Sequence, residues 1–201
     1  PLDSNTEKIE EKPWKPIAPS EIALSEGWQT PRAMSILEIN RLIQNYVNSA
    51  KRAVAAGFKI IEIHAAHGYL IHSFLSPISN KRDDEYGGSY EGRIKLLKNI
   101  IVAIRKEVPE ELPIFCRISA IDGQKNGWTI LDSIKLAKTL NNLGVDVIDC
   151  SSGGIIGRPR FAVNDKGEDL NKNTDRGLGF QVPLSLPNFD CISFNKPFAA
   201  P

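Results

Sequence analysis

The sequence predicts an α/β fold built on a parallel sheet, and three observations support this prediction. Three short apolar runs, at residues 60–63, 114–118 and 145–150, have the composition of buried strands. Stretches with helical periodicity separate these runs, and such alternation is typical of parallel sheets. The run G-F-K-I-I-E-I-H from Gly57 also matches G-V-D-V-I-D-C-S from Gly144 in its glycine, apolar and acidic positions, which indicates a repeated αβ unit. Three successive units suit part of a barrel or a doubly wound sheet, although no G-x-G-x-x-G follows a strand.

Composition and charge limit the classes of partner that the protein is expected to bind. Of the 201 residues, 41% are hydrophobic and 24% are charged, which is ordinary for a globular domain with one core. A net charge of +1 does not favour nucleic acid or an anionic membrane as a partner, and no apolar run is long enough to span a bilayer. The three cysteines are far apart, which predicts free thiols in a reducing compartment such as the cytoplasm. Neither nucleic acid nor a membrane is therefore expected as a partner, and we make no prediction about oligomeric state.

The N-terminal part divides into an arm, a loop and a helix. Residues 1–18 are polar and rich in proline, which predicts an extended arm, and an ordered loop should follow up to Pro31. Ser35 and Glu38 form a capping-box pattern at the start of the first helix, because each side chain can satisfy a backbone N–H of the other. Gly57 is placed to end that helix in a left-handed conformation.

Two further helices and a tail are predicted downstream. The second helix should run over about residues 90–108, and the third from a Thr129 cap to about Leu143, where Gly144 closes it. Residues 19–160 are expected to form the αβ domain. Residues 161–201 lack periodicity and are expected to form a polar loop and an irregular tail.

All three histidines follow the first predicted strand, within residues 64–72. In a barrel of alternating strands and helices, chemistry is located at the carboxyl ends of the strands. The H-x-x-H spacing of His64 and His67 also suits a metal site, and a structural role is equally compatible with it. Spacing alone does not choose among these interpretations.

The flanking residues favour one interpretation. The run H-A-A-H-G-Y-L-I-H-S-F-L-S-P-x-S-N-x-R-x-D-E-Y-G-G-S, from His64 to Ser89, resembles the Old Yellow Enzyme family of flavin-dependent ene-reductases, in particular its two-histidine branch. The resemblance continues through R-I-S-A from Arg117 and V-I-D-C-S-S-G from Val147, and it covers residues 19 to about 154. It implies that the domain at residues 19–160 is the middle of a (β/α)8 TIM barrel, represented by three clear βα units.

The resemblance also implies a cofactor and a reaction. Family members bind FMN, which NADH or NADPH reduces, and hydride then passes to a small-molecule substrate, an activated alkene such as an α,β-unsaturated carbonyl compound. His64 and His67 match the pair that holds the substrate oxygen, and Tyr69 matches the catalytic proton donor. Arg117 matches the cofactor-binding arginine beside the flavin, although a structural ion pair is the usual explanation for a charge in an apolar strand. His72 matches no functional position, so we expect it to be a surface or packing residue.

Three other expectations come from the motif regions. Ser151 and Ser152 are placed either to line the cofactor site or to form a turn. Arg82 and Asp84 match the family, and we expect them to hold their loop in place rather than to touch substrate. No metal is expected, because no third ligand follows at a fitting spacing from the two histidines in the sequence.

The resemblance covers only part of a barrel. A complete barrel has about 250 residues and eight strands, so we expect the chain to be an internal fragment. The family's early strands should lie upstream of Pro1 and its FMN-phosphate strands beyond Ser185. Weak or absent FMN binding and impaired activity are therefore expected for this chain alone. The alternatives are a non-catalytic barrel remnant or partner-binding module, and a metal hydrolase.

Overall fold

The computed structural model describes residues 14–24 and 26–155, which form two parallel sheets and four helices. The elements, in chain order, are β1 (Ile17–Ala18), β2 (Arg32–Ala33), α1 (Ile36–Ala55), β3 (Ile61–Ala65), α2 (Leu70–Leu75), α3 (Tyr90–Arg105), β4 (Ile114–Ser119), α4 (Ile130–Asn142) and β5 (Val147–Ser151). The three strands and three longer helices predicted from the sequence are therefore present. Most of the predicted arm, at residues 1–13, and the whole predicted tail, at residues 161–201, lie outside the described residues.

The main sheet has the strand order β3-β4-β5, and all its strands are parallel. In its register His64 pairs with Arg117, and Arg117 pairs with Asp149. These three residues form one row on one face of the sheet, because side chains alternate between faces along a strand. The adjacent row points to the opposite face and is buried in the hydrophobic core: Ile63, Cys116 and Ile148.

Helix α1 begins and ends where its sequence signals predict. The Ser35 Oγ accepts from the Glu38 N–H at 3.3 Å, and the Glu38 carboxylate accepts from the Ser35 N–H at 2.9 Å. Arg32 adds two guanidinium hydrogen bonds to the same carboxylate. The bonds from Arg32 and Ser35 lower the pKa of Glu38 to about 2. At the other end Gly57 has a φ of +85°, which confirms the left-handed end.

The start of α4 is fixed by the tryptophan that precedes it. Thr129 and Asp132 form a capping box, as the predicted Thr129 cap requires. Trp128 is buried, stacks on the Tyr90 ring at a centroid distance of 5.7 Å, and donates from Nε1 to the Ser133 Oγ at 2.7 Å. The stacking places the first turn of α3 beside the first turn of α4.

The short parallel pair of β1 and β2 was not predicted. Ile17 pairs with Arg32 and Ala18 with Ala33; the first segment lies in the predicted arm, and the second lies between the predicted loop and the first predicted helix. The Arg82 guanidinium holds this region to the domain by donating to the carbonyl oxygens of Pro19 and Met34, at 2.9 and 2.7 Å. It also pairs with Asp84. Arg82, paired with Asp84, therefore ties the β1–β2 region to the loop after α2.

Among residues 14–24 and 26–155, no helix combines the length and apolar character needed to cross a membrane.

Candidate active site

The candidate site lies at the carboxyl edge of the main sheet, where three parallel strands end in polar residues. His64 is the penultimate residue of β3, and His67 and Tyr69 follow the strand. β4 ends at Ser119 and β5 ends at Ser151, and both serine side chains are buried. Because the strands are parallel, these ends meet at one edge, which is where chemistry is located in barrels of this kind.

The structure brings three of the predicted site residues together. The ring of His64 lies 5.1 Å from the ring of His67 and 5.2 Å from the ring of Tyr69, between ring centroids, and both contacts are edge-on. His64 is exposed and Tyr69 is 64% exposed, whereas His67 is half-buried. Two imidazoles and a phenol therefore share one accessible patch.

The turn that carries His67 has an unusual backbone. His67 has a φ of +59° and Gly68 a φ of +75°, so a non-glycine residue lies in the left-handed region. The Ser119 Oγ accepts from the His67 N–H at 2.9 Å and donates to the Gly153 carbonyl at 2.8 Å. A Cβ on Gly68 would lie 2.0 Å from the Gly154 carbonyl oxygen. The loops after β3 and β5 are thus packed backbone to backbone, with Ser119 between them.

His72 lies beneath this turn and is completely buried. Its Nδ1 accepts from the Gly68 N–H at 2.8 Å, and its Nε2 lies 3.0 Å from the Asp122 Oδ1. The other Asp122 oxygen accepts from the Ser76 Oγ and from the Trp128 N–H, both at 2.6 Å. Of the two positions expected for His72, surface or packed, the structure has the packed one. Asp122 was not among the residues predicted from the sequence.

The two site histidines are held as neutral rings. The Nδ1 of His64 accepts from the Ala66 N–H at 3.2 Å, so in the neutral ring Nε2 carries the proton. The Nε2 of His67 lies 2.6 Å from the Ser151 Oγ. Burial, followed by the charge of Arg117, lowers the pKa of His64; burial, followed by His64 itself, lowers the pKa of His67. Both rings are therefore predominantly uncharged at neutral pH.

Arg117 occupies the same sheet face, beside His64. Its Nε lies 3.4 Å from the Asp149 Oδ2, within ion-pair distance, yet this buried nitrogen has no hydrogen-bond partner in the described part of the chain. The Oγ of Ser152 is a second buried polar atom without a partner there. Burial, followed by the charge of Asp149, raises the pKa of Glu62, which lies on this face one row below. Arg117 is thus ion-paired and still has a buried donor unused.

The lowered histidine pKa values predict that stability decreases in mild acid. We expect His64 and His67 to take up protons below the ordinary histidine pKa of 6.5. Unfolded chains bind those protons more readily, so stability is full above that value and is lost as pH falls through it toward the folded-state values. Histidine ring NMR titration, with urea unfolding at about pH 7.5 and about pH 5.5, measures both effects. His64→Asn with His67→Asn should reduce the pH dependence, and ring midpoints at or above 6.5 would contradict the prediction.

Comparison with known proteins decides the family. Residues 2–174 match the sequence profile of the NADH:flavin oxidoreductase / NADH oxidase family. The chain belongs to this family of oxidoreductases. An NADPH dehydrogenase from a Geobacillus species is 52% identical over 140 residues, which are 70% of this chain and 41% of that protein. An NADH:flavin oxidoreductase from Gibberella zeae is 44% identical over 185 residues, 84% of this chain and 44% of that protein.

A solved structure supports the same assignment. The old yellow enzyme homologue from Zymomonas mobilis superposes with a TM-score of 0.62 and 32% identity, over 72% of this chain and 44% of that one. The resemblance to Old Yellow Enzymes is therefore confirmed, and the described αβ units are part of a TIM barrel that they do not close. The chain spans less than half the length of the curated relatives it matches. Among the described residues, no group of three or more potential ligands is arranged to hold a metal ion.

Proposed function

We propose that the chain carries the substrate-facing part of an FMN-dependent oxidoreductase, which uses NADH or NADPH to reduce activated alkenes such as α,β-unsaturated carbonyl compounds. One observation carries the proposal. His64, His67 and Tyr69 converge within 5.1 and 5.2 Å at the carboxyl edge of the sheet, in a member of a flavin oxidoreductase family. Relatives named NADPH dehydrogenase support the choice of reductant.

We assign to the two histidines the role of binding the carbonyl oxygen of the substrate. Negative charge develops on a carbonyl oxygen when hydride arrives at the β-carbon, and fixed N–H donors stabilise that charge. His64 can donate from Nε2, because its Nδ1 already accepts from the Ala66 N–H. His67 is oriented by its contact with the Ser151 Oγ at 2.6 Å. Because burial lowers both pKa values, the donors act as neutral imidazoles.

We assign to Tyr69 the donation of the proton that completes the reduction. After hydride addition the α-carbon needs a proton, and a phenol O–H beside the substrate can supply it. The Tyr69 ring lies edge-on to His64 and is accessible, so one ligand could contact both residues.

Arg117 on the sheet face and Ser152 just after β5 offer donors that suit a flavin. The Arg117 Nε and the Ser152 Oγ are buried donors without partners in the described residues, and the flavin ring has carbonyl and nitrogen acceptors for such groups. Arg117 would hold FMN by its pyrimidine edge, and its positive charge favours a reduced, anionic flavin. Bound FMN would supply the hydride.

Flavin titration tests the proposal. The purified chain is mixed with increasing FMN, and flavin fluorescence and visible absorbance are followed. Without oxygen, NADPH should bleach the absorbance of bound flavin and 2-cyclohexenone should restore it. Lys51→Gln, on the exposed outer face of α1, serves as the control and should behave as the parent. Weak FMN binding is expected of a partial barrel, so the titration is carried to high FMN concentrations; a chain that quenches FMN fluorescence at none of them contradicts the proposal and supports a non-catalytic remnant or partner-binding module.

A further inference from the structure

We propose that His72 and Asp122 are positioning residues, which fix the left-handed turn at His67 and Gly68 and thereby set the relative placement of the His67 and Tyr69 side chains. The importance of this turn rests on the proposed function, because that function requires both side chains to face one substrate. The contacts that carry the inference lie outside the cofactor and substrate positions described above.

The position of the proton on the His72 ring follows from the hydrogen bonds of that ring. A backbone N–H can only donate, so the Nδ1 that lies 2.8 Å from the Gly68 nitrogen must present its lone pair. Nε2 then carries the ring proton and points it at the Asp122 Oδ1, 3.0 Å away. Asp122 therefore selects the one tautomer of His72 that can accept from Gly68.

Asp122 is itself held in a single orientation. Its Oδ2 accepts from the Ser76 hydroxyl and the Trp128 N–H, both at 2.6 Å. Asp122 and His72 are 1% and 0% exposed. Both carboxylate oxygens and both ring nitrogens are thus hydrogen-bonded, and in a buried network each bond restricts the others. Through Ser76 and His72, α2 is fastened to the loop after β4 at two points.

The turn at His67 and Gly68 has a backbone conformation that needs support from its surroundings. His67 has a φ of +59°, a conformation that a non-glycine residue keeps only when its surroundings hold it there. Two hydrogen bonds do so: Ser119 accepts from the His67 N–H, and His72 accepts from the Gly68 N–H. Gly68 lies between His67 and Tyr69 in the chain. Loss of its bond to His72 therefore frees the peptide that sets the angle between the two side chains.

Two amide substitutions separate positioning from simple packing. In His72→Asn the side-chain oxygen can take the place of Nδ1, so the Gly68 bond can be kept while the Asp122 bond is lost. In His72→Gln the longer side chain reaches the place of Nε2, so the Asp122 bond can be kept while the Gly68 bond is lost. Both changes remove the ring, and both introduce a neutral amide.

NMR of the 201-residue chain reads out the turn directly, since the chain has only three histidines to assign. In His72→Asn, the Gly68 amide and the His67 ring signals should stay close to those of the parent. In His72→Gln, the Gly68 amide should exchange with solvent about fivefold faster or more, the equivalent of one net hydrogen bond, and the His67 ring signals should shift. Equal effects of the two variants, or no effect of either on His67, would overturn the proposal.

A measurement on the parent chain covers the case in which a variant fails to fold. The ring nitrogen shifts of His72 should show the neutral tautomer protonated at Nε2, with a coupling to the Gly68 amide across the hydrogen bond. The other tautomer would refute the positioning pair. These spectra need no flavin, so a chain that fails to bind FMN can still pass this test. A chain that reduces alkenes can equally fail it.

Discussion

Replacing Tyr69 with phenylalanine is expected to slow the reduction of 2-cyclohexenone by about a hundredfold or more, the usual contribution of a general acid. Reduction of the flavin by NADPH should change little. The substitution removes only the hydroxyl and leaves the ring that lies 5.2 Å from His64, so packing is preserved while the proton donor is lost. Rapid mixing of the flavin-loaded protein with NADPH, and separately of the reduced protein with enone, measures the two half-reactions.

Tyr46→Phe is the matched control for this variant. Tyr46 is a partly buried tyrosine on α1, away from the carboxyl edge of the sheet, so it undergoes the same chemical change at a remote position. It should leave both half-reactions unchanged. If Tyr69→Phe slowed both half-reactions equally, or left enone reduction at the parent rate, the proton-donor assignment would have to be abandoned.

Gly68→Ala is expected to destabilise the fold strongly. Alanine at a φ of +75° incurs a strain of about 1–2 kcal/mol. The added Cβ would also lie 2.0 Å from the Gly154 carbonyl oxygen, a backbone atom that cannot rotate away. Forcing an extra methyl group into packed structure costs about 1–3 kcal/mol more. Urea unfolding should therefore show a loss of roughly 2–5 kcal/mol, the sum of these two effects.

Gly57→Ala isolates the conformational part of that cost. Gly57 has a φ of +85°, close to that of Gly68, but a Cβ there meets nothing within 4 Å. Its substitution should cost only the strain, about 1–2 kcal/mol. The difference between the two variants measures how tightly the loops after β3 and β5 are packed. Equal losses in both variants would mean that these loops separate easily.

Local signals explain why so much of the fold could be predicted. The capping box at Ser35, the left-handed Gly57 and the strand after it are each encoded within a few residues, and all three are present. The strands β1 and β2 have two residues each, too few to show a periodicity, and only their pairing makes them strands. Helix α3, the second helix predicted from the sequence, ends at Arg105, three residues before its predicted end. The prediction was too long because the apolar spacing continues beyond the last turn of the helix.

The residues of the candidate site could likewise be predicted where they are close in the sequence, and not where they are far apart. His64, His67 and Tyr69 could be chosen from the sequence because they follow one strand within six positions, and the structure brings them together. The partners that hold the turn could not, since His72 and Asp122 are 50 positions apart and the register of two strands decides their contact. The catalytic, substrate-binding and cofactor-binding roles assigned to these residues and to Arg117 remain predictions.

The burial of Trp128 makes this residue an intrinsic fluorescence probe of the structure around it. Trp128 is 2% exposed, whereas Trp14 and Trp28 are 78% and 63% exposed. Iodide in the buffer can therefore quench the fluorescence of two of the three tryptophans. The remaining emission comes from the residue whose backbone N–H donates to Asp122. Any loosening of the loop after β4 would therefore redden and dim a signal that needs no label.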